Sequence, residues 1–100
     1  MARGTQNLVW IDMEMSGLDP VTCYPLEIAT IVTNSELDIL AEGPSLVIHQ
    51  PDKVLDAMDA WNTDHHGKSG LTVAVQQSRV SGAEAEAMTL AFLEAWPEPG

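Results

Sequence analysis

Two carboxylates, Asp12 and Glu14, have the residue types and spacing most suited to chemistry in this 100-residue chain. They lie in the run Leu8–Met15, LVWIDMEM, whose apolar residues predict a β-strand. Because side chains alternate along a strand, both acids share one face, with their Cα atoms about 6.6 Å apart. Carboxylates at that range can hold hard cations, including a pair of Mg²⁺ ions. The alternative is a solvated strand end with both acids at the rim of a sheet.

Two other groups of polar residues do not form a convincing site. The run Gly67-Lys68-Ser69 resembles a phosphate-binding P-loop, but Asn62 stands where the first glycine is required and no strand precedes it. The cysteine and the histidines lack the spacing of a zinc site and are predicted to be surface or loop residues. They are Cys23, His49, His65 and His66.

The composition narrows the class of protein. Four basic and fifteen acidic residues give a net charge of 4 − 15 = −11, which argues against a basic groove for long nucleic acid. A hydrophobic content of 45% is typical of a globular domain. No apolar run is long enough to span a membrane, and the N-terminus lacks the apolar segment of a secretory signal. The single Cys23 cannot form an internal disulfide, so we expect an intracellular protein.

The first half of the chain predicts three strands. Leu8–Met15 is apolar enough for a strand buried on both faces, and Leu26–Thr33 is rich in β-branched residues. Leu37–Leu40 and Leu46–His49 predict a third strand that is interrupted at Gly43-Pro44. Short connections favour antiparallel neighbours, so the sequence predicts a three-stranded meander.

The second half predicts helices. From Asp52 onward, apolar residues recur at helical spacing, and Ser69 could cap a second helix. The first helix would bury Val54, Leu55, Met58 and Trp61, and the second Leu71, Ala74 and Val75.

A third helix is indicated by Ser81 and Glu84, which have the spacing of a capping box. Its predicted buried face carries Ala85, Met88, Phe92 and Ala95, and Pro97 should end it near Trp96. The order βββααα predicts an α/β or α+β layer. If the last helix is a crossover, a parallel strand should follow it, so we expect these residues to be the N-terminal part of a longer protein.

A longer stretch around the two acids carries a specific resemblance. Residues Trp10–Pro20, followed by Leu26–Val32, resemble the first motif of the DEDD 3′→5′ exonucleases, and most closely the oligoribonuclease family. Further stretches agree: Ile39–Pro44, Met58–Asn62, His66 and Ser69–Leu71. The resemblance runs from about residue 7 to about residue 96. It implies a ribonuclease H-like α/β fold, a mixed sheet flanked by helices, in which residues 1–100 form the N-terminal portion of a single exonuclease domain, with strands over about 7–49 and helices over about 52–96.

The same resemblance implies roles for five residues. Asp12 and Glu14 would be catalytic ligands of two divalent metal ions, Mg²⁺ or Mn²⁺. Leu18 would be an apolar wedge between substrate bases, although it could instead pack against a helix. Trp61 would stack on a base, unless it only completes the apolar helix face. His66 would contact the 5′-phosphate of the substrate, although a lone histidine is often structural.

The implied activity is hydrolysis of very short single-stranded RNA to nucleoside 5′-monophosphates by a cytoplasmic homodimer. The family's four metal-binding acids come from three motifs, and residues 1–100 supply only the first pair. The general-base histidine and the other acids would lie beyond residue 100, so these residues alone are expected to be inactive.

Two alternatives remain at the level of sequence. A DNA proofreading exonuclease of the same superfamily would keep the fold and change the substrate, although Met58–Leu71 favours the RNA enzyme. A non-catalytic domain acting through protein contacts would not bind Mn²⁺ tightly.

Overall fold

Three strands form one antiparallel sheet in the computed structural model, which describes residues 7–19 and 21–95. The strands are β1 (Leu8–Met15), β2 (Pro25–Thr33) and β3 (Ile39–Val47), and β2 lies in the middle. Each strand pairs with its neighbour in the chain, so the predicted three-stranded meander is confirmed. The first two strands agree with the predicted bounds to within one residue.

The third strand differs from its prediction because it continues through Gly43-Pro44. Ala29 pairs with Ser45 and Ile31 with Glu42, so one extra residue of β3 is accommodated at this point. A proline lacks the N–H that a central strand would need, but an edge strand with a bulge tolerates it. The predicted interruption at Gly43-Pro44 is therefore wrong.

Strand β1 is an exposed edge rather than a strand buried on both faces, and that prediction is also wrong. Leu8, Val9, Trp10 and Ile11 are between 41% and 52% exposed. Within the described residues, β2 is the only strand that pairs with β1. The apolar sequence of β1 is thus typical of a buried strand, but in the described part of the chain these four side chains are about half exposed.

Four helices follow the sheet: α1 (Asp52–Asp56), α2 (Ala60–Ser69), α3 (Leu71–Gln77) and α4 (Gly82–Ala95). The sequence predicts one helix from Asp52 onward that carries Val54, Leu55, Met58 and Trp61, but Asp59 caps a new helix before Trp61. Its carboxylate accepts a hydrogen bond from the backbone N–H of Asn62 at 2.8 Å, as a helix N-cap does.

The boundary between α2 and α3 lies at Gly70 rather than at the predicted cap Ser69. Gly70 has φ 83°, a left-handed conformation that ends α2 at little steric cost. The Ser69 hydroxyl still accepts a long hydrogen bond from the N–H of Leu71 at 3.4 Å. The predicted cap is therefore displaced by one residue.

Helix α4 begins with the predicted capping box. The Ser81 hydroxyl accepts from the Glu84 N–H at 3.0 Å, and the Glu84 carboxylate accepts from the Ser81 N–H at 3.2 Å. Its buried residues are Ala85 and Thr89, whereas Met88 is exposed, so the predicted face is wrong at Met88. The side chain of Ala95, and Trp96 and Pro97, lie outside the described residues.

The helices build two small cores against the sheet. Leu26 packs with Leu55, Leu71 and Val75 from α1 and α3. Leu46 and Ile48 pack with Ala85 of α4. No helix in the described part of the chain is long and apolar enough to cross a membrane.

Gly43 provides a test of the contact between β3 and α4. A Cβ at Gly43 would lie 2.6 Å from the Phe92 ring, so Gly43→Ala is expected to lower the free energy of unfolding by roughly 1–3 kcal/mol. Gly67 is the matched control, because it lies inside α2 and a Cβ there would meet nothing within 4 Å. Gly67→Ala should raise stability by roughly 0.5–1 kcal/mol. Urea unfolding checks both, and a neutral Gly43→Ala would contradict this packing.

Candidate active site

Asp12 and Glu14 lie on the same face of the sheet, at the carboxyl-terminal half of β1. Asp12 pairs with Ala29 of β2 and Glu14 with Glu27. Asp12 is exposed and Glu14 is half-buried. The opposite face of β1 bears Ile11 and Met13, which line a cavity beside α4. The face with the two acids is therefore free for a ligand over Asp12 and partly enclosed at Glu14.

Glu27 adds a third carboxylate to this face, and the sequence interpretation did not include it. It is the direct cross-strand partner of Glu14 in an antiparallel pair. Like charges in that position repel each other, so the pair costs free energy unless a proton or cation offsets it. The pairing register of β1 and β2 was needed to find this residue.

Helix α2 is held against the end of β1 by His66. The His66 ring is 2% exposed, and its Nε2 lies 2.9 Å from the carbonyl oxygen of Met15. A carbonyl can only accept, so Nε2 carries the hydrogen and donates it; in a neutral ring Nδ1 is then the acceptor. The structure thus places His66 beside the acids, and its contact with a substrate phosphate stays a prediction.

A cavity of about 270 Å³ lies between the end of β1 and the α2–α3 junction. Its walls include Glu14, Glu27, His65 and His66, together with residues 69–71. One ligand atom each from Glu14, His65 and His66 lies within 4.8 Å of the other two. The expectation that these histidines are surface or loop residues is wrong for His66, which is buried in α2. His65 is exposed as expected, but it lies in α2 and also lines this cavity.

Trp61 lies on the solvent-exposed side of α2, and its side chain is 67% exposed. Its ring stacks on His65, one helical turn away, with centroids 4.7 Å apart and an interplanar angle of 14°. The alternative that Trp61 completes the apolar helix face is therefore wrong. The i, i+4 spacing of these two residues could have indicated the stack from the sequence.

Leu18 is fully exposed at the tip of the loop that follows β1. The ends of the loop are held together by Ser16, which bonds to Tyr24 through its backbone N–H and its hydroxyl, both at 2.9 Å. Packing of Leu18 against a helix, the alternative considered from the sequence, is not seen. A rigid loop base with an exposed apolar tip can place that tip against a ligand.

Asp19 stabilises the turn next to Leu18. The backbone N–H of Val21, 2.8 Å from the carboxylate, and the Thr22 hydroxyl hold the pKa of Asp19 below its ordinary value of 3.8. The ionised form therefore favours the turn above pH 3.8. That contribution is lost as the pH falls through the lowered pKa.

Comparison with known proteins agrees with this arrangement. A family model described as RNase_T, exonuclease, matches residues 9–97. The chain belongs to this exonuclease family. The match spans β1 to α4, and three antiparallel strands followed by helices are the architecture expected of the ribonuclease H-like exonuclease fold, so the predicted fold class is confirmed.

Curated relatives of this exonuclease chain carry the name oligoribonuclease. The chain is 64% identical over 94 residues to that of Pseudomonas paraeruginosa, covering 94% of this chain and 52% of the relative. It is 62% identical over 94 residues to that of Coxiella burnetii, covering 94% and 51%. The chain spans about half the length of the curated relatives it matches. The predicted resemblance is confirmed.

The donor chemistry of this exonuclease site fits divalent metal ions. Asp12 and Glu14 offer hard carboxylate oxygens on a shared face, and Glu27 adds negative charge beside Glu14. In the part of the chain that the structure describes, the ion pair found is Lys68–Asp64, on the exposed side of α2. The acids at the end of β1 are thus not neutralised by a described basic side chain, and a cation could take that place.

Proposed function

We propose that the whole protein, meaning the gene product to which these 100 residues belong, is a 3′→5′ exoribonuclease. Its substrates would be very short RNA oligonucleotides and its products nucleoside 5′-monophosphates. The observation that carries the proposal is that Asp12 and Glu14 share one face of the sheet, while Leu18 and the Trp61–His65 stack are exposed. The names of the oligoribonuclease relatives support the same substrate class.

Asp12 and Glu14 would hold two divalent ions, Mg²⁺ or Mn²⁺. When bound, such ions polarise a phosphodiester and lower the pKa of a water molecule. The contribution of the chain is to keep two carboxylates on one face of a paired strand, where the backbone ladder with β2 fixes their spacing. The half-buried position of Glu14 also limits access of bulk water on that side.

Leu18 and Trp61 would hold the bases of the substrate. Neither an apolar side chain nor an indole face carries a hydrogen-bond code for particular bases, which suits an enzyme that accepts many sequences. His66 would contact the 5′-phosphate, and its bond to Met15 would fix the ring beside the acids. Such contacts at both ends of a dinucleotide would select short substrates.

The net charge of −11 is compatible with a short substrate, because a dinucleotide has too few phosphates to need a basic track. We also propose, from the family resemblance, that the protein works as a cytoplasmic homodimer. In the same proposal, residues 1–100 are the N-terminal portion of a single exonuclease domain.

The substrate class is tested with matched RNA and DNA dinucleotides. The whole protein is incubated with each in the presence of Mn²⁺, and products are identified by mass spectrometry. Release of nucleoside 5′-monophosphates from RNA, abolished by a chelator, is the expected result. Faster cleavage of DNA would favour a proofreading-type exonuclease, and no cleavage of either would favour a non-catalytic domain.

Trp61→Ala is expected to weaken dinucleotide binding by roughly 1–3 kcal/mol, because a stacking surface for a base is lost. Leu37→Ala is the control, since Leu37 is also exposed but lies in the turn at the other end of the sheet. Calorimetric titration of the whole protein with several dinucleotides measures both. If the Trp61 variant and the wild type bound dinucleotides with equal affinity, the proposed contact between Trp61 and a base would be wrong.

A further inference from the structure

We propose that Glu14, His65 and His66 form a second kind of cation site, which takes a borderline transition metal and specifically Zn²⁺. It is distinct from the carboxylate pair because two of its three ligands are imidazole nitrogens. It shares Glu14 with that pair. The proposal that Zn²⁺ binds here does not depend on the proposed hydrolysis.

The first argument is the convergence of the three ligand groups. One ligand atom from each residue lies within 4.8 Å of the other two, inside the cavity at the end of β1. Ligands of a tetrahedral Zn²⁺ with bonds of 2.0–2.1 Å stand about 3.4 Å apart. Binding would require the three groups to approach each other, mainly through rotation of the half-buried Glu14 side chain, because His66 is buried and His65 is stacked on Trp61.

The second argument is the orientation of His66. Its Nε2 donates to the Met15 carbonyl at 2.9 Å, and the ring is buried. Histidines that bind metals commonly donate their other ring N–H to a carbonyl or carboxylate, which fixes the tautomer and orients the ring. The bond to Met15 therefore fixes the ring of His66, and a cation would be bound through its other nitrogen, Nδ1.

The third argument is the ligand set and its surroundings. Two histidines and a glutamate are a known three-ligand set for zinc that leaves one coordination position open, whereas Mg²⁺ prefers oxygen ligands. Glu27 adds negative charge opposite Glu14, and among residues 7–19 and 21–95 no lysine or arginine lines the cavity. The stack on Trp61 holds the His65 ring in place beside the cavity.

Glu14 is a proposed ligand in both cation sites. When its carboxylate binds Zn²⁺ together with His65 and His66, it is not available to bind Mn²⁺ together with Asp12. Zn²⁺ should then compete with Mn²⁺ for Glu14. This part rests on the proposed metal-binding role of Asp12 and Glu14.

Zn²⁺ alone is the probe for the test, titrated into the whole protein against a chromophoric zinc indicator. The wild type should bind one Zn²⁺, and His65→Gln should weaken that binding by more than the roughly 10- to 100-fold that loss of an outer-shell partner costs, because His65 would be a direct ligand. His65 is chosen because it is exposed, whereas replacing the buried His66 would also break the bond to Met15. His49→Gln is the matched control, since His49 is exposed and bonds to Val75 instead, and it should leave Zn²⁺ affinity unchanged.

A second arm separates this proposal from the proposed function. Asp12→Asn should lose Mn²⁺ binding and keep Zn²⁺, whereas His65→Gln should lose Zn²⁺ and keep Mn²⁺. Wild-type Zn²⁺ affinity in His65→Gln, or loss of Zn²⁺ in Asp12→Asn, would overturn the site. Absence of Mn²⁺ binding with the Zn²⁺ pattern intact would overturn only the proposed function.

Discussion

Asp12→Asn in the whole protein is expected to reduce Mn²⁺-dependent release of mononucleotides from an RNA dinucleotide by at least about a hundredfold. The substitution keeps the shape of the side chain and removes its charge. A metal ion contributes several kcal/mol to stabilising the charge that develops on phosphate, and each 1.36 kcal/mol corresponds to a factor of ten in rate. Asp12 is exposed, so the fold should persist.

Asp56→Asn is the control for that experiment. Asp56 is also exposed, but it lies at the end of α1 and not on β1 or β2. Circular dichroism and urea unfolding should give the same fold and stability for both variants. Near-normal turnover in Asp12→Asn would show that Asp12 has no catalytic role.

Residues 1–100 purified alone are expected to self-associate and to release no mononucleotide from a dinucleotide with Mn²⁺. The β1 strand presents an apolar edge, with Val9, Trp10 and Ile11 about half exposed, and such an edge pairs readily with other chains. In the proposed function, these residues also supply only one pair of metal-binding acids. Sedimentation velocity and a dinucleotide assay measure the two properties.

Val9→Lys offers a matched test of the edge, because a charge on an edge strand opposes pairing. This variant of residues 1–100 should sediment with a smaller fraction of oligomer than the unmodified chain. A monodisperse and active preparation of residues 1–100, free of longer protein, would contradict both expectations. Catalytic groups other than Asp12 and Glu14 would then be required.

Features that depend only on residues close together in the sequence could be predicted from the sequence. The spacing of Ser81 and Glu84 predicted the cap of α4, and alternation predicted that Asp12 and Glu14 share a face. The break between α1 and α2 was missed because Asp59 can cap a helix as well as continue one. The continuity of β3 was missed because a bulge on an edge strand accommodates Pro44.

The remainder of the site depends on contacts between residues that are far apart in the sequence. Glu27 meets Glu14 through the register of β1 and β2, and His66 meets Met15 across 51 positions of sequence. No spacing within α2 shows that its histidines face a glutamate from β1. The burial of β1 was overestimated because its composition suits a covered strand, while the described residues leave it as an edge.

Binding of Mn²⁺ to the whole protein, followed by electron paramagnetic resonance, tests the central claim most directly. The claim is that Asp12 and Glu14 form a cation site on one face of β1. Titration should show bound Mn²⁺ in the wild type and in Asp56→Asn, and loss of that binding in the double variant Asp12→Asn/Glu14→Gln. Unchanged Mn²⁺ binding in the double variant would contradict the account, because the ions would then be held by other residues.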